Sequence, residues 1–280
     1  MHPIQSLTLL TRGLGYHVRH EFWCIKSSNI QDQHLKKNST QGAQMYLKTI
    51  LCLANSRKPP SGRCIAGKEF EGNKVGKWLR PVSARPSHEV SEEERRYENG
   101  IKAQLLDIVS VPLIQVAPFD HQVENHVLDD KFYWTKTGTA NWNQVVSCVD
   151  AFDPAFWANS QCTQHGQNDK VAEANVVRAG GSLKLISVSD LEVVVQVEDG
   201  FQGNQARRRV RARFTLNHTP YFMSITDPEI EQAYLVRGDG KYPIGVAALC
   251  VSLVEIWNGF AFRVVASLIT PQRCAQINGH

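Results

Sequence analysis

Apolar and polar residues alternate over short stretches through most of the chain after residue 45. Such alternation, interrupted by prolines and glycines, is typical of β-strands joined by turns. The predicted strands are Lys48–Asn55, Arg63–Glu69, Lys77–Ser83 and Ile108–Val116, followed by Leu183–Val188, Glu192–Val197, Arg207–Leu216, Tyr221–Thr226, Gly245–Leu253 and Phe260–Ile269. Because closure removes exposed strand edges, we predict a mainly β protein of two tandem small β-barrels with a few short helices.

Two segments carry helix signals. Ser91 is followed three residues later by Glu94, which fits a capping box, and Gly100 supplies a stop. These features predict a helical insertion near 88–106. Asp227 precedes Pro228, as expected at the start of a second short helix.

The pattern divides the chain into three parts. Residues 1–44 have no clear period, and they are either an extension upstream of a natural start at Met45 or a flexible arm. The first barrel domain is predicted at 45–175. The second is predicted at 180–275, opening at a Gly-Gly pair.

Composition places the chain among globular proteins. It has 280 residues, of which 42% are hydrophobic and 21% charged. No run approaches the roughly 20 apolar residues of a membrane span, and the N-terminus lacks a secretory pattern. We therefore expect a cytoplasmic protein with no membrane association. Seven cysteines, with no CxxC pair, predict reduced and partly buried thiols.

Positive charge is concentrated in two places, although the formal net charge is only +4. Residues 45–85 contain nine Lys or Arg and two Glu. From residue 86 onward there are 17 Lys or Arg against 23 Asp or Glu, yet five of these arginines lie within 207–213. Such concentration creates a local field that can attract a polyanion.

The arginine row in the second block is the most informative feature. Because strand side chains alternate between faces, one face would carry Arg207, Arg209, Arg211 and Arg213. Guanidinium groups suit phosphate oxygens, and same-face residues about 6.6 Å apart approximate the spacing of phosphates along a single strand. The alternative is an outer face whose arginines pair with nearby carboxylates.

Basic and aromatic residues also occur together in the first block. Arg57, Lys58 and Arg63 flank a Pro-Pro-Ser-Gly loop, and Lys77 and Arg80 lie beside Trp78. Small barrels bind single strands through exposed rings and basic loops, so these six residues join the predicted interface. The alternative for Trp78 is a place in the barrel core.

The polar turn Asn168-Asp169-Lys170 could contact a ligand or order the connection between domains. The nearest approach to a metal-binding or acid-base cluster comprises Asp120, His121, Glu124, His126, Asp129 and Asp130. It lacks HExxH spacing, and the chain has no P-loop, Rossmann glycine motif or GxSxG elbow. We therefore expect no metal, no cofactor and no assigned catalytic residue.

Several strings in order carry a family resemblance: ILCLANSRK (50–58), GRCIAG (62–67), WLRPVS (78–83), GQNDKV (166–171), ITDP (225–228) and NGFAFRVVA (258–266). With them the chain resembles the prokaryotic dual OB domain-containing proteins over residues 46–270. The resemblance implies two OB-like barrels, which bind oligonucleotides or oligosaccharides. It carries over no catalytic residues.

These observations lead to a first hypothesis of weakly sequence-specific binding to single-stranded DNA or RNA. It includes a place in a prokaryotic defence or mobile-element system. A second hypothesis is a protein-interaction subunit whose arginines meet an acidic partner. A third is a nucleotide-processing enzyme using the acidic cluster around His121. We expect a binding protein in preference to an enzyme.

Overall fold

The computed structural model describes residues 44–59, 61–158, 161–199 and 205–279. The predicted extension at residues 1–44 lies outside this part of the chain except for its last residue. No helix within the described ranges combines the length and apolar character needed to cross a membrane. The six cysteines within them are free thiols.

The first six strands form one sheet: β1 (Tyr46–Lys58), β2 (Gly62–Glu71), β3 (Lys74–Val82), β4 (Asp107–Val116), β5 (Asn125–Leu128) and β6 (Thr135–Thr139). The long β1 pairs with β4 through its first half and with β2 through its second half. Since β3 also pairs with β5, and β5 with β4, the first five strands close into a barrel. β6 extends the sheet beside β4.

The second sheet repeats this closure. Its elements, with the helices around them, are α1 (Trp142–Ser147), β7 (Lys170–Ala172), α2 (Glu173–Val176), β8 (Leu183–Glu198), β9 (Arg207–Leu216), β10 (Thr219–Ile225), α3 (Pro228–Leu235), β11 (Gly240–Leu253), β12 (Phe260–Ile269) and α4 (Pro271–Asn278). β8 pairs with β9 and β11, β9 with β10, and β12 with both β10 and β11. In both barrels the third and fifth strands are parallel and the other neighbours antiparallel.

This architecture confirms the predicted fold class of two small β-barrels with a few short helices. The segments 183–188 and 192–197, predicted as separate strands, form the single strand β8. β7 lies within the range predicted for the first domain, yet it pairs with β12 of the second barrel. The exact domain limits stay a prediction.

The two helix signals have different outcomes. α3 begins at Pro228, and the Asp227 side chain caps it by accepting from the Ile230 N–H, as predicted. The helical insertion near 88–106 is wrong, because this segment consists of turns and isolated bridges. Both hydrogen bonds of the Ser91–Glu94 capping box are present, but Arg63 pairs with Val90 and Tyr97 with Ile101 instead of continuing a helix.

Three buried apolar clusters hold the fold. One fills the first barrel, with Ile50, Ile65, Leu79 and Val109 among its residues, and one fills the second barrel. The third lies between the barrels and contains residues of both. Its members include Leu51, Leu53, Ala66, Leu105, Leu185, Cys250, Ala266 and Ile269. The two barrels are therefore joined by a shared apolar core as well as by the chain that connects them.

Candidate nucleic-acid interface

Four of the five arginines of β9 lie on its outward face, namely Arg207, Arg209, Arg211 and Arg213. Val210, Ala212 and Phe214 alternate with them and are buried in the core of the second barrel. Across the sheet, the outward face of β8 presents Glu192, Val194, Gln196 and Glu198 opposite Arg213, Arg211, Arg209 and Arg207. The alternation that the sequence predicts therefore places the arginines together, but it also places two carboxylates beside them.

The arginines differ in how far the protein neutralises them. Arg211 is 6% exposed, and its Nη2 donates to Glu198 Oε2 at 2.9 Å. Arg213 is exposed and pairs with Glu192 at 2.8 Å. Arg209 is half-buried and has no ion-pair partner among the described residues. Arg207 is exposed at the start of the strand.

Arg211 is therefore a structural cation, and its predicted contact with nucleic acid is wrong. Burial alone would raise the pKa of Glu198, but hydrogen bonding and attraction from Arg211 outweigh it and lower that pKa. Glu198 consequently remains ionised beside Arg211. The Asp169 carboxylate lies 3.7 Å from the same guanidinium and adds to the neutralisation.

Phe222 on β10 packs under this arginine row. The Arg211 and Arg213 guanidinium carbons lie 5.4 and 4.9 Å from the centre of its ring. The ring is buried, so its face is taken by cations rather than open to a nucleobase. This part of the surface can hold an anion, but Phe222 does not serve as an open stacking ring there.

The basic loop of the first barrel docks on the second barrel. Arg57 donates its backbone N–H to Thr226 O, and its side chain pairs with Glu231 of α3 at 2.7 Å. Lys58 pairs with Glu255, in the β11–β12 loop, at 3.1 Å. Two of the predicted phosphate contacts are thus engaged between the barrels. Arg63 is half-buried and lines a cleft between the barrels.

Trp78 and Arg80 of β3 also face the protein, whereas Lys77 does not. Trp78 donates its indole N–H to Asp150 at 3.0 Å and lies under Lys68, so it is not the exposed stacking ring that the sequence suggested. Arg80 is 3% exposed and pairs with Glu124 at 3.0 Å, which contradicts its predicted role in ligand binding. Lys77 is exposed.

The turn at 168–170 is held against the second barrel. Asn168 has a positive φ of 51°, and its amide donates to Pro220 O at 2.9 Å. The buried Asp169 accepts from the Thr163 N–H at 2.8 Å. The Lys170 ammonium lies 3.7 Å from the centre of the Phe260 ring. These contacts order the approach to β7.

The acidic cluster predicted from the sequence is dispersed in the structure. His121 contacts Leu253 O, while Glu124 pairs with Arg80 and His126 bonds the Tyr46 hydroxyl. Across the described ranges, no group of three or more His, Cys, Asp and Glu side chains is arranged to hold a metal ion. Glu124 and His121 instead belong to the contact between the barrels.

Sequence reasoning missed Asp150, which is central to that contact. Its carboxylate accepts from the Lys68 ammonium, the Trp78 indole and the Leu185 N–H. Asp150 follows α1 in a stretch with no strand pattern. The sequence indicates only that Lys68 and Trp78, on the neighbouring strands β2 and β3, could point to the same side of the sheet.

Comparison with known proteins agrees with the observed topology. A family model described as a dual OB-containing domain matches residues 48–268. The chain belongs to this family. An OB-fold is a barrel of five strands. The two barrels observed here, β1–β5 and β8–β12, each have five strands.

Among solved structures, one similar chain is titled "Crystal structure of the tetrameric p202 HIN2". It has 9% sequence identity and a TM-score of 0.30, covering 84% of this chain and 100% of the other. At that score the likeness carries no argument about function. A search of curated proteins found no match.

Proposed function

We propose that this dual OB protein binds single-stranded nucleic acid, with little sequence specificity, on the outer face of β9 in its second barrel. OB barrels use the face of their second and third strands for oligonucleotides. β9 and β10 occupy those positions in the second barrel. The outward row of arginines on β9 is the observation that carries the proposal.

Among the described residues, the more open part of such a face lies on the second barrel, at Arg207, Arg209 and Arg213. The corresponding strands of the first barrel are β2 and β3, whose outward residues include Ala66, Lys68, Trp78 and Arg80. They are buried or half-buried, and they pack or bond against Asp150 and the second barrel. The first barrel therefore serves as support in this proposal.

Phosphate can compete for the exposed arginines. An exposed ion pair such as Arg213–Glu192 contributes only about 0–1 kcal/mol, because water screens it and two long side chains must be ordered. A phosphate oxygen can replace that carboxylate and form charge-assisted hydrogen bonds. Arg209, between Arg207 and Arg213 on the same face, supplies a guanidinium without an ion pair within the described ranges.

Because Phe222 is buried beneath the arginines, contacts to the phosphate backbone are favoured over stacking on this ring. Binding of this kind releases counterions, so affinity should fall steeply between about 50 and 200 mM salt. It should also depend little on base sequence, because phosphates carry no base identity.

Fluorescence anisotropy with labelled single-stranded DNA and RNA tests the proposal. The double variant Arg209→Ala/Arg213→Ala should weaken binding at both salt concentrations and reduce the salt slope by about one to two units, one for each phosphate contact removed. The control Arg178→Ala removes an exposed guanidinium from the short 3-10 turn after α2 and should leave binding unchanged. Equal affinities for the wild type and the double variant, or no binding by folded protein at low salt, would overturn it.

A further inference from the structure

A cleft between the two barrels contains charge that the proposed interface does not use. It has room of about 210 Å³ and is lined by both barrels. Arg63 lies in its first-barrel wall together with Asn55, Arg95 and Lys102, and Asp227, Glu229 and Arg273 lie in the opposite wall. Residues of both barrels therefore form the walls of the cleft.

The first-barrel wall carries excess positive charge. Arg95 and Lys102 share a single carboxylate, that of Glu92. Arg63 has no ion-pair partner among the residues that the structure describes. On the opposite wall, Arg273 pairs with both Asp227 at 2.6 Å and Glu229 at 2.8 Å, so that wall carries no excess positive charge, and Asp227 also caps α3. An anion is therefore favoured on the first-barrel side.

Two buried polar atoms in this wall lack hydrogen-bond partners in the described structure. They are Nε of Arg95, a residue only 5% exposed, and Oδ1 of Asn55. A buried polar group without a partner destabilises the folded state, and native proteins contain few of them. Of the two, the Nε–H of Arg95 is an unused hydrogen-bond donor on the residue that adds positive charge to this wall.

We propose that the cleft binds a phosphate monoester of about one nucleotide. Arg63 contacts the phosphate, because its planar guanidinium can offer two parallel N–H donors to phosphate oxygens. Arg95 and Lys102 add positive charge from the same wall. The cavity is smaller than the roughly 300–1,000 Å³ typical of drug-sized ligands, which favours a single unit over a long chain.

This inference is independent of the proposed function, because it uses neither β9 nor its arginines. The phosphate monoester could come from a free nucleotide or from the 5′ end of an oligonucleotide. Both share the terminal phosphate that Arg63 would recognise, so the experiment needs a probe for each source.

Isothermal titration of the full chain with AMP, adenosine, and a short oligonucleotide with or without a 5′-phosphate tests the inference. AMP should bind, and adenosine should bind at least about tenfold more weakly, the size expected for a charge-assisted contact. Arg63→Ala should produce a similar loss, and Arg63→Lys a smaller one because it keeps the charge. Arg178→Ala is the matched control, and thermal melts establish that each variant is folded.

The outcomes separate the sources. A preference for the 5′-phosphorylated oligonucleotide that Arg63→Ala removes identifies a chain end as the ligand, while AMP binding without that preference identifies a free nucleotide. Equal affinity for AMP and adenosine, no binding of any phosphorylated probe, or unchanged binding in folded Arg63→Ala would overturn the inference. Arg209→Ala/Arg213→Ala should leave AMP binding intact, so failure of the β9 proposal and failure of this one are distinguishable.

Discussion

At the scale of single residues, the charges of this protein serve two different purposes. Those beside a carboxylate in a buried place, such as Arg80, Arg211 and Lys68, hold elements together. Those in more open positions, such as the half-buried Arg209 and the exposed Arg213, are the ones on which the proposed function depends. Arginines occur in both groups, so residue type does not distinguish structural charges from the others. The degree of burial does.

Asp150 gives a direct test of the structural group. Its Oδ1 lies 2.7 Å from the Lys68 ammonium, which is 7% exposed, and Oδ2 accepts from Trp78 and Leu185. Asp150→Ala should lower the free energy of unfolding by about 3–5 kcal/mol, because it leaves a buried cation unpaired. Urea denaturation measures this change.

The control variant also removes the positive charge of Lys68, which Asp150→Ala leaves without a partner. Lys68→Met combined with Asp150→Ala should recover part of the stability, since no unpaired buried ion remains. If the double variant is as unstable as Asp150→Ala, the cause is not the uncompensated charge of Lys68.

The sequence could predict which residues share the outward face of β9, because alternation follows from strand geometry alone. It could not predict that Arg211 is buried while Arg213 is exposed. That difference depends on Glu198, across the β8–β9 pair, and on Asp169, from a segment before β7. Contacts that bring distant segments together have no local pattern.

At the scale of elements, close strand approach explains why certain positions are glycine. Gly67 on β2 faces β1, where a β-carbon would lie 2.1 Å from the carbonyl oxygen of Leu51. Backbone at that distance cannot turn aside as a flexible side chain would. The strand pair therefore requires the absence of a side chain at this point.

Gly67→Ala should consequently destabilise the protein by about 1–3 kcal/mol, the usual cost of overpacking. Gly138→Ala in β6 is the matched control, because its β-carbon would meet only the Ile108 Cδ1 at 3.7 Å, an ordinary contact. Denaturation midpoints compare the two variants. Equal stability would contradict the close approach of β1 and β2.

Helix signals at this scale were reliable only where the following residues agreed with them. Asp227 and Pro228 precede a stretch that continues as α3, which packs over its own barrel. Ser91 and Glu94 form a reciprocal capping box, yet Val90 and Tyr97 are drawn into the core of the first barrel. Burial of those side chains takes precedence over extension of the turn.

At the scale of the whole molecule, the two barrels are tied by buried polar contacts as well as by their shared apolar cluster. Arg80 of the first barrel donates to the Ser182 hydroxyl at 2.7 Å and pairs with Glu124. His121 Nε2 lies 3.2 Å from Leu253 O at the end of β11. The repeated strand pattern predicted two barrels, but it contained no information about this contact.

The contact between the barrels should make stability sensitive to acid. Burial lowers the pKa of His121 below its ordinary value of 6.5, although the hydrogen bond to Leu253 and the nearby Glu124 act in the other direction. The unfolded chain therefore takes up a proton near pH 6.5, while the folded protein does so only at lower pH. Falling pH favours the unfolded state across that window.

Thermal melts between about pH 7.5 and pH 5.5 should show a falling unfolding temperature, with a smaller fall in His121→Gln. Burial also lowers the pKa of His88 and His126, so the variant should retain part of the dependence. The exposed His218→Gln is the control and should keep the wild-type slope. A slope unchanged by His121→Gln would mean that protonation at the contact between the barrels does not limit stability, and that other groups are responsible.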